Sequence, residues 1–144
     1  MFLRKKRKGQ AIVEMALVFP FFLLIIVGGI IDFGFDFYNH LSVQQIANDT
    51  AQWATDNYTP VSPISTSEMA EHANMLKPAW WTGAYTVKPT LSQLATGENT
   101  VDVLIVYDSP TYTPFYQTMF KAASGVPVIR LASRAVYKIP ENPR

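Results

Sequence analysis

The strongest constraint on the fold is an apolar run at residues 11–31, which contains one charged residue, Glu14. A helix rises about 1.5 Å per residue, so the run spans roughly 31 Å and matches a bilayer hydrocarbon core of about 30 Å. Inside a bilayer, a single segment satisfies its backbone polar groups only as a helix. A secretory signal peptide would be shorter and would end in small residues at a cleavage site. No such site follows Ile31, and the sequence predicts a transmembrane helix over residues 10–31.

Charge is distributed unevenly on the two sides of Gly9. Beyond this glycine the chain has seven Lys and Arg residues against eleven Asp and Glu residues. A protein of that charge is a poor candidate for nucleic-acid binding, which requires a basic face. A basic block beside a membrane helix marks the cytoplasmic side, so we expect a cytoplasmic N-terminus, an extracytoplasmic head and lipid around the helix. The block consists of Arg4, Lys5, Lys6, Arg7 and Lys8.

Two residues of the apolar run are unusual for a plain membrane anchor. A charged side chain deep in a bilayer costs roughly 2.5–3.5 kcal/mol, so Glu14 is by default a candidate functional residue. Pro20 lacks a backbone N–H and crowds the carbonyl group of Ala16. It is interpreted either as an ordinary kink, which membrane helices tolerate, or as a weak point where the helix bends on leaving the bilayer.

Residues 8–34 resemble the N-terminus of the TadE-like pseudopilins, minor subunits of the tight-adherence branch of type IV pili. The matching residues are Gly9, Gln10, Ala11, Glu14, Pro20, Asp32, Phe33 and Gly34. The resemblance implies a precursor that a membrane-embedded prepilin peptidase cuts between Gly9 and Gln10. Glycine suits such a cut because it has no Cβ to keep the peptidase from the backbone. The alternative interpretation of Gly9 is a flexible joint at the membrane surface.

The resemblance also implies what the mature protein does. It would be a minor pilin or pseudopilin that takes part in assembling a Flp-type pilus and catalyses nothing. Its partners would be the prepilin peptidase, other minor pilins, the major pilin and the inner-membrane assembly platform. It would lie in the inner (cytoplasmic) membrane as a single-pass protein, and in the extracellular pilus if it is incorporated. An uncleaved, membrane-anchored extracytoplasmic binding domain is the main alternative, and an anchored hydrolase is a second.

Assembly gives Glu14 a specific role in this interpretation. Cleavage creates a free amine on Gln10, one helical turn before the carboxylate. A lone carboxylate in an apolar bundle is costly, whereas one paired with an ammonium group is much less so. We therefore expect Glu14 to pair with the amine of a neighbouring subunit and to fix the axial register between helices.

The helix is predicted to continue beyond the membrane to about residue 58. Between Asp32 and Tyr58 there is no proline, and Gly34 is the only glycine. Helical spacing places one side of this segment against a head domain. The residues assigned to that side are Phe37, Leu41, Ile46, Ala47, Thr50, Ala51 and Ala54. The predicted organisation is a leader at residues 1–9, a transmembrane helix at 10–31, its continuation at 32–58 and a globular head at 59–144.

The head is predicted to be small and of mixed helix and sheet content. Ser65 and Glu68 have the spacing of a capping box, which predicts a short helix at residues 66–76. Alternating apolar residues predict strands at residues 84–88, 101–108 and 126–138, and residues 110–120 are expected to be a connection with one helical turn. The fold class is α+β and pilin-like, with a long N-terminal helix packed on a mostly antiparallel sheet.

No catalytic or metal-binding motif is apparent. Asp32, Asp36 and His40 follow each other at intervals of four residues, but such residues stand about 6 Å apart, so one ion would reach only two of them. This stripe is expected to be solvated or to contact a neighbouring subunit. Glu68 and His72 have the same spacing. The chain has no cysteine, and it has no P-loop, dinucleotide fingerprint or nucleophile elbow. We therefore expect no metal and no cofactor.

Overall fold

The computed structural model describes residues 6–59, 61–93 and 98–140. The described residues form α1 (Lys6–Asp56), α2 (Thr66–Met75), β1 (Tyr85–Gln93), β2 (Asn99–Pro110), α3 (Pro114–Ser124) and β3 (Val128–Lys138). This arrangement confirms the predicted α+β class, with a long apolar N-terminal helix followed by a small antiparallel sheet. Arg4 and Lys5 of the basic block lie outside the described part of the chain.

The chain divides into two compact units. The first, here called the anchor unit, comprises Met1–Gly34 and Thr111–Pro127. The second, here called the head unit, comprises Phe35–Pro110 and Val128–Arg144. The anchor unit therefore contains the apolar part of α1 together with α3, and the head unit contains the rest of α1, α2 and the sheet.

In the head unit the three strands pair in the order β1–β2–β3, and both pairings are antiparallel. The burial of side chains alternates along the central strand β2, as its sequence predicts. The buried residues are Val101, Val103, Ile105 and Tyr107, and the residues between them are half-buried. The edge strand β1 continues through Pro89 to Gln93, five residues further than predicted. An edge position tolerates proline because an N–H on the outer side has no ladder partner.

The core of the head unit lies between β2, α2 and one stripe of α1. The buried residues of that stripe are Asp36, Asn39, Val43, Ile46, Ala47, Thr50, Ala51 and Ala54. The prediction that Phe37 and Leu41 face the head is wrong, because they are 65% and 48% exposed. Their positions are one or two residues away from the stripe that the helical repeat of the buried residues defines.

One polar residue of this core is Asn39, and both ends of its side-chain amide are hydrogen-bonded. The side-chain oxygen of Asn39 accepts a hydrogen bond of 2.9 Å from Trp81 Nε1, and its nitrogen donates one of 3.1 Å to Ser109 Oγ. The Trp81 ring in turn stacks on Tyr107, with the ring centroids 4.1 Å apart. A buried amide with both ends satisfied avoids the usual desolvation cost.

The predicted capping box at the start of α2 is confirmed. Ser65 Oγ accepts from the backbone N–H of Glu68, and the Glu68 carboxylate accepts from the backbone N–H of Ser65 at 2.8 Å. This backbone hydrogen bond holds the pKa of Glu68 below its usual value. The helix ends at Met75, one residue before the predicted end.

The connection between β2 and β3 differs from the prediction. Instead of a single turn, it contains the eleven-residue helix α3. Pro114 occupies its first turn, where a missing N–H costs nothing. Gly125 ends it with a left-handed φ of 82°. The two ends of the connection are hydrogen-bonded to each other. The backbone N–H and the hydroxyl of Thr111 both donate to the carbonyl group of Pro127, at 3.1 and 3.0 Å.

Candidate functional site

The candidate cleavage position lies in the first turn of α1. Gly9 and Gln10 are both exposed, and a Cβ atom added to Gly9 would meet no atom within 4 Å. Lys6, Arg7 and Lys8 belong to the helix backbone, but their side chains lie outside the described part. The two residues that flank the candidate bond are therefore both exposed.

Glu14 has a partner within its own chain that the sequence analysis missed. Gln10 Nε2 donates a hydrogen bond of 3.0 Å to Glu14 Oε1 across one exposed turn of α1. The spacing of four residues is the signal from which this pair was predictable. The pair places the Glu14 carboxylate next to the residue that would carry the new amine after cleavage.

Apolar side chains surround Glu14 and remain exposed along the helix. Every large apolar residue from Ile12 to Val27 is at least 38% exposed. Within the described residues, one helix, Gly9–Asp56, is long and apolar enough to cross a membrane. Only 6% of its most apolar window is buried, unlike the core helix of a soluble protein. The helix continues through Pro20 and is consistent with a membrane anchor.

Asp32 connects the end of the apolar run to α3 within the anchor unit. Its Oδ1 accepts hydrogen bonds from the backbone N–H groups of Tyr112 (2.7 Å) and Thr113 (3.1 Å). Its Oδ2 accepts from the hydroxyl of Thr113. Thr113 is the N-cap residue of α3 but does not cap the helix with its own side chain. The Asp32 carboxylate, 1% exposed, therefore lies at the positive end of the α3 dipole.

Two glycines of α1 make room for α3. A Cβ atom on Gly28 would lie 3.2 Å from Thr113 Oγ1, and one on Gly29 would lie 2.6 Å from Tyr116 Oη. The Tyr116 hydroxyl donates to the carbonyl oxygen of Ile25 at 3.2 Å. A side chain at Gly29 would therefore displace the Tyr116 ring, and one at Gly28 would require Thr113 to shift by a few tenths of an ångström.

The expectation of a solvated stripe at Asp32, Asp36 and His40 is wrong for both carboxylates. Asp32 and Asp36 are 1% and 6% exposed. Asp32 is hydrogen-bonded to the residues at the start of α3. His40 Nε2 accepts a hydrogen bond of 3.0 Å from the Gln44 amide. Among the described residues, no group of three or more potential ligands is placed to hold a metal ion.

Glu68 and His72, the second set of potential ligands spaced four residues apart, have structural contacts in the head unit. Glu68 is used in the capping box of α2. The His72 ring stacks on the Trp53 ring, with the centroids 4.3 Å apart and the planes 5° from parallel. Both side chains therefore have structural roles in the head unit.

Comparison with known families supports the interpretation of the N-terminal segment. Residues 9–52 match the model of a family described as TadE-like protein. The match begins at Gly9 and includes Glu14, Pro20 and Asp32, so the resemblance to this family is confirmed over that segment. The family suggests involvement in a tight-adherence (Tad/Flp) pilus system and interaction with other pilus components. No curated protein and no solved structure matches the chain.

Proposed function

We propose that this chain is the precursor of a minor pilin, or pseudopilin, that takes part in assembling a tight-adherence (Flp-type) pilus. The observation that carries the proposal is the TadE-like match over residues 9–52. The exposed apolar helix supports a single-pass anchor in the inner (cytoplasmic) membrane. The basic block supports a cytoplasmic N-terminus and an extracytoplasmic head.

Processing is the first step of the proposed function. A prepilin peptidase cuts between Gly9 and Gln10 and removes the leader with its five basic residues. The support for this step is the exposed glycine in the first turn of α1, with open space around its Cα atom. The mature protein starts with an amine on Gln10 at the head of the apolar helix.

Assembly is the second step, and the protein acts in it by binding rather than by catalysis. The exposed apolar side of α1 packs against helices of the major pilin and other minor pilins, next to the inner-membrane platform. Glu14 pairs with the Gln10 amine of a neighbouring subunit. The pairing is favourable because an isolated carboxylate in an apolar bundle is costly. The bond from Gln10 Nε2 to Glu14 Oε1 supports this step, since it brings the carboxylate to the turn where that amine forms.

A pair of glycine variants tests the processing step. Gly9→Val should accumulate as the uncut precursor, since the branched side chain blocks the approach of the peptidase to the backbone. Gly34→Val is the matched control, because a Cβ atom at Gly34 also meets nothing within 4 Å. It should be processed like the wild type. The measurement is a gel shift of the C-terminally tagged protein in cells with and without the peptidase.

Two outcomes would reject the proposal in this form. Equal processing of the two variants would show that Gly9 is not the cleavage determinant. Unprocessed wild-type protein in peptidase-positive cells would instead favour the uncleaved, membrane-anchored binding domain.

A further inference from the structure

We propose that α3 is a second membrane-contact element, which lies in the bilayer leaflet nearest the head and binds phospholipid acyl chains. The inference rests on the proposed membrane anchorage of α1 and extends it to α3, which begins at Pro114, about 80 residues after the apolar run ends. The observations that carry it are the depth at which α3 contacts α1, the amphipathic surface of α3 and an apolar cavity between the two helices.

The depth follows from hydrogen bonds within the anchor unit. The apolar run ends at Ile31, and the Asp32 carboxylate holds the start of α3 at that level. The Tyr116 hydroxyl reaches the carbonyl oxygen of Ile25, six residues deeper in the run. Six residues of helix correspond to about 9 Å. The Tyr116 side chain of α3 therefore extends about 9 Å below the end of the run, which is within the 5–10 Å by which interfacial amphipathic helices bury their apolar face.

The surface of α3 is divided into an apolar and a polar side. No residue of the helix is fully buried. Phe115 and Met119 are 45% and 42% exposed and one turn apart, and Ala122 extends the same stripe. The other side carries Gln117, Thr118, Lys121 and Ser124. An exposed apolar stripe opposite a polar side is the pattern of a helix that lies in a membrane interface. Lys121 has the length to extend its ammonium group toward the headgroups.

A cavity of about 460 Å³ lies between α3 and the membrane-spanning part of α1. Its lining includes Phe21, Leu24, Ile31 and Phe115. The walls are almost entirely apolar, and Phe21 and Leu24 belong to the exposed surface that faces lipid when α1 spans the bilayer. The cavity is thus continuous with the lipid-facing surface of α1. An acyl chain buries apolar surface against such walls, whereas water finds few hydrogen-bond partners there.

Spin labels can measure the depth of α3 directly, because the chain has no cysteine of its own. Single cysteines replace Met119 on the apolar side of α3, Thr118 on its polar side, Val18 in the apolar run and Thr86 in β1. All four positions are exposed, so the label should not disturb the fold. The full chain is placed at one copy per nanodisc of phosphatidylethanolamine and phosphatidylglycerol. The relaxation enhancement by oxygen, which enters the bilayer, is then compared with that by a water-soluble nickel chelate.

The proposal expects Val18 and Met119 to show an oxygen-to-nickel ratio several-fold above that of Thr86, with Thr118 below Met119. A ratio at Met119 equal to that at Thr86 would overturn it. So would shielding of Met119 from both reagents, because a protein surface would then cover α3. The Val18 label separates the two proposals. A membrane-like ratio at Val18 with a water-like ratio at Met119 rejects the role of α3 alone, and water-like ratios at both reject the anchor.

Discussion

The carboxylate of Asp32 accepts hydrogen bonds from both the backbone N–H and the hydroxyl of Thr113, 81 residues further along the chain. This contact joins the end of the apolar run to the start of α3. Because α3 has no fully buried residue of its own, we do not expect apolar packing alone to fix its position. The buried carboxylate is therefore expected to determine where α3 lies on α1.

Replacing Asp32 with alanine should release α3. Hydrogen bonds to a charged group are worth about 1.5–3 kcal/mol, so amide-exchange protection in α3 should fall by about one to two orders of magnitude. Hydrogen exchange with mass spectrometry on the full chain in nanodiscs measures this. Asp49→Ala is the control, because Asp49 is an exposed carboxylate on the same helix. Unchanged exchange at residues 112–124 in the Asp32 variant would show that other contacts hold α3.

Gly29→Ala should displace Tyr116. The added Cβ atom would lie 2.6 Å from the Tyr116 hydroxyl and 3.3 Å from the ring carbon that bears it. We expect faster trypsin cleavage after Lys121 in Gly29→Ala than in the control Gly34→Ala, which meets no neighbouring atom. Combining Gly29→Ala with Tyr116→Phe removes the closer atom and should restore part of the protection. Equal cleavage rates for the two glycine variants would contradict this account of the contact.

The parts of the fold that depend on local pattern were predictable from the sequence. The alternation from Val101 to Tyr107 predicted β2, and the Ser65 and Glu68 pair predicted the start of α2. The helix α3 was missed although Thr113 and Pro114 form a recognisable helix start. The pattern of residues 110–120 predicts only a connection with one helical turn, whereas Pro114–Ser124 form a helix.

The parts that depend on distant contacts were not predictable. Asn39 is absent from the residues that helical spacing assigns to the head side of α1, yet it is buried, with its amide hydrogen-bonded to Trp81 and Ser109. Asp32 was expected to be solvated or to contact a neighbouring subunit, but its partners are Tyr112 and Thr113, about 80 residues away in the same chain. Nothing in the residues near Asp32 identifies those partners, so only the folded chain reveals them.

Tyr85 should titrate at unusually high pH. Burial raises the pKa of its phenol to about 12, and its hydroxyl donates to the carbonyl oxygen of Ala73 at 3.1 Å. Since the folded pKa is raised, the stabilisation by the neutral phenol is complete below about pH 10 and is lost as the pH rises toward 12. The tyrosinate absorbance of the wild type minus that of Tyr85→Phe should contain one step near pH 12. A step near pH 10 would mean that Tyr85 is solvated.

Glu14 should be required for assembly but not for processing. Glu14→Gln and Glu14→Ala are expected to be inserted and cleaved normally, because neither change alters Gly9 or the basic block. Both should abolish or strongly reduce pili, since the charge that pairs with the Gln10 amine of a neighbour is lost. The measurement is complementation of a deletion strain, with processing scored by gel shift and pili by shearing. Met15→Ala, an exposed neighbour on the same turn, is the control. Normal piliation with Glu14→Ala would show that the carboxylate is incidental.

The intact mass of the protein from native membranes tests the central claim most directly. If the chain is a processed pilin-like subunit, its mature form begins at Gln10, with or without cyclisation of that glutamine. It has then lost Arg4, Lys5, Lys6, Arg7 and Lys8 together with Gly9. A peptidase deletion strain should contain the full precursor. A mass that corresponds to residues 1–144 in peptidase-positive native cells would contradict the account.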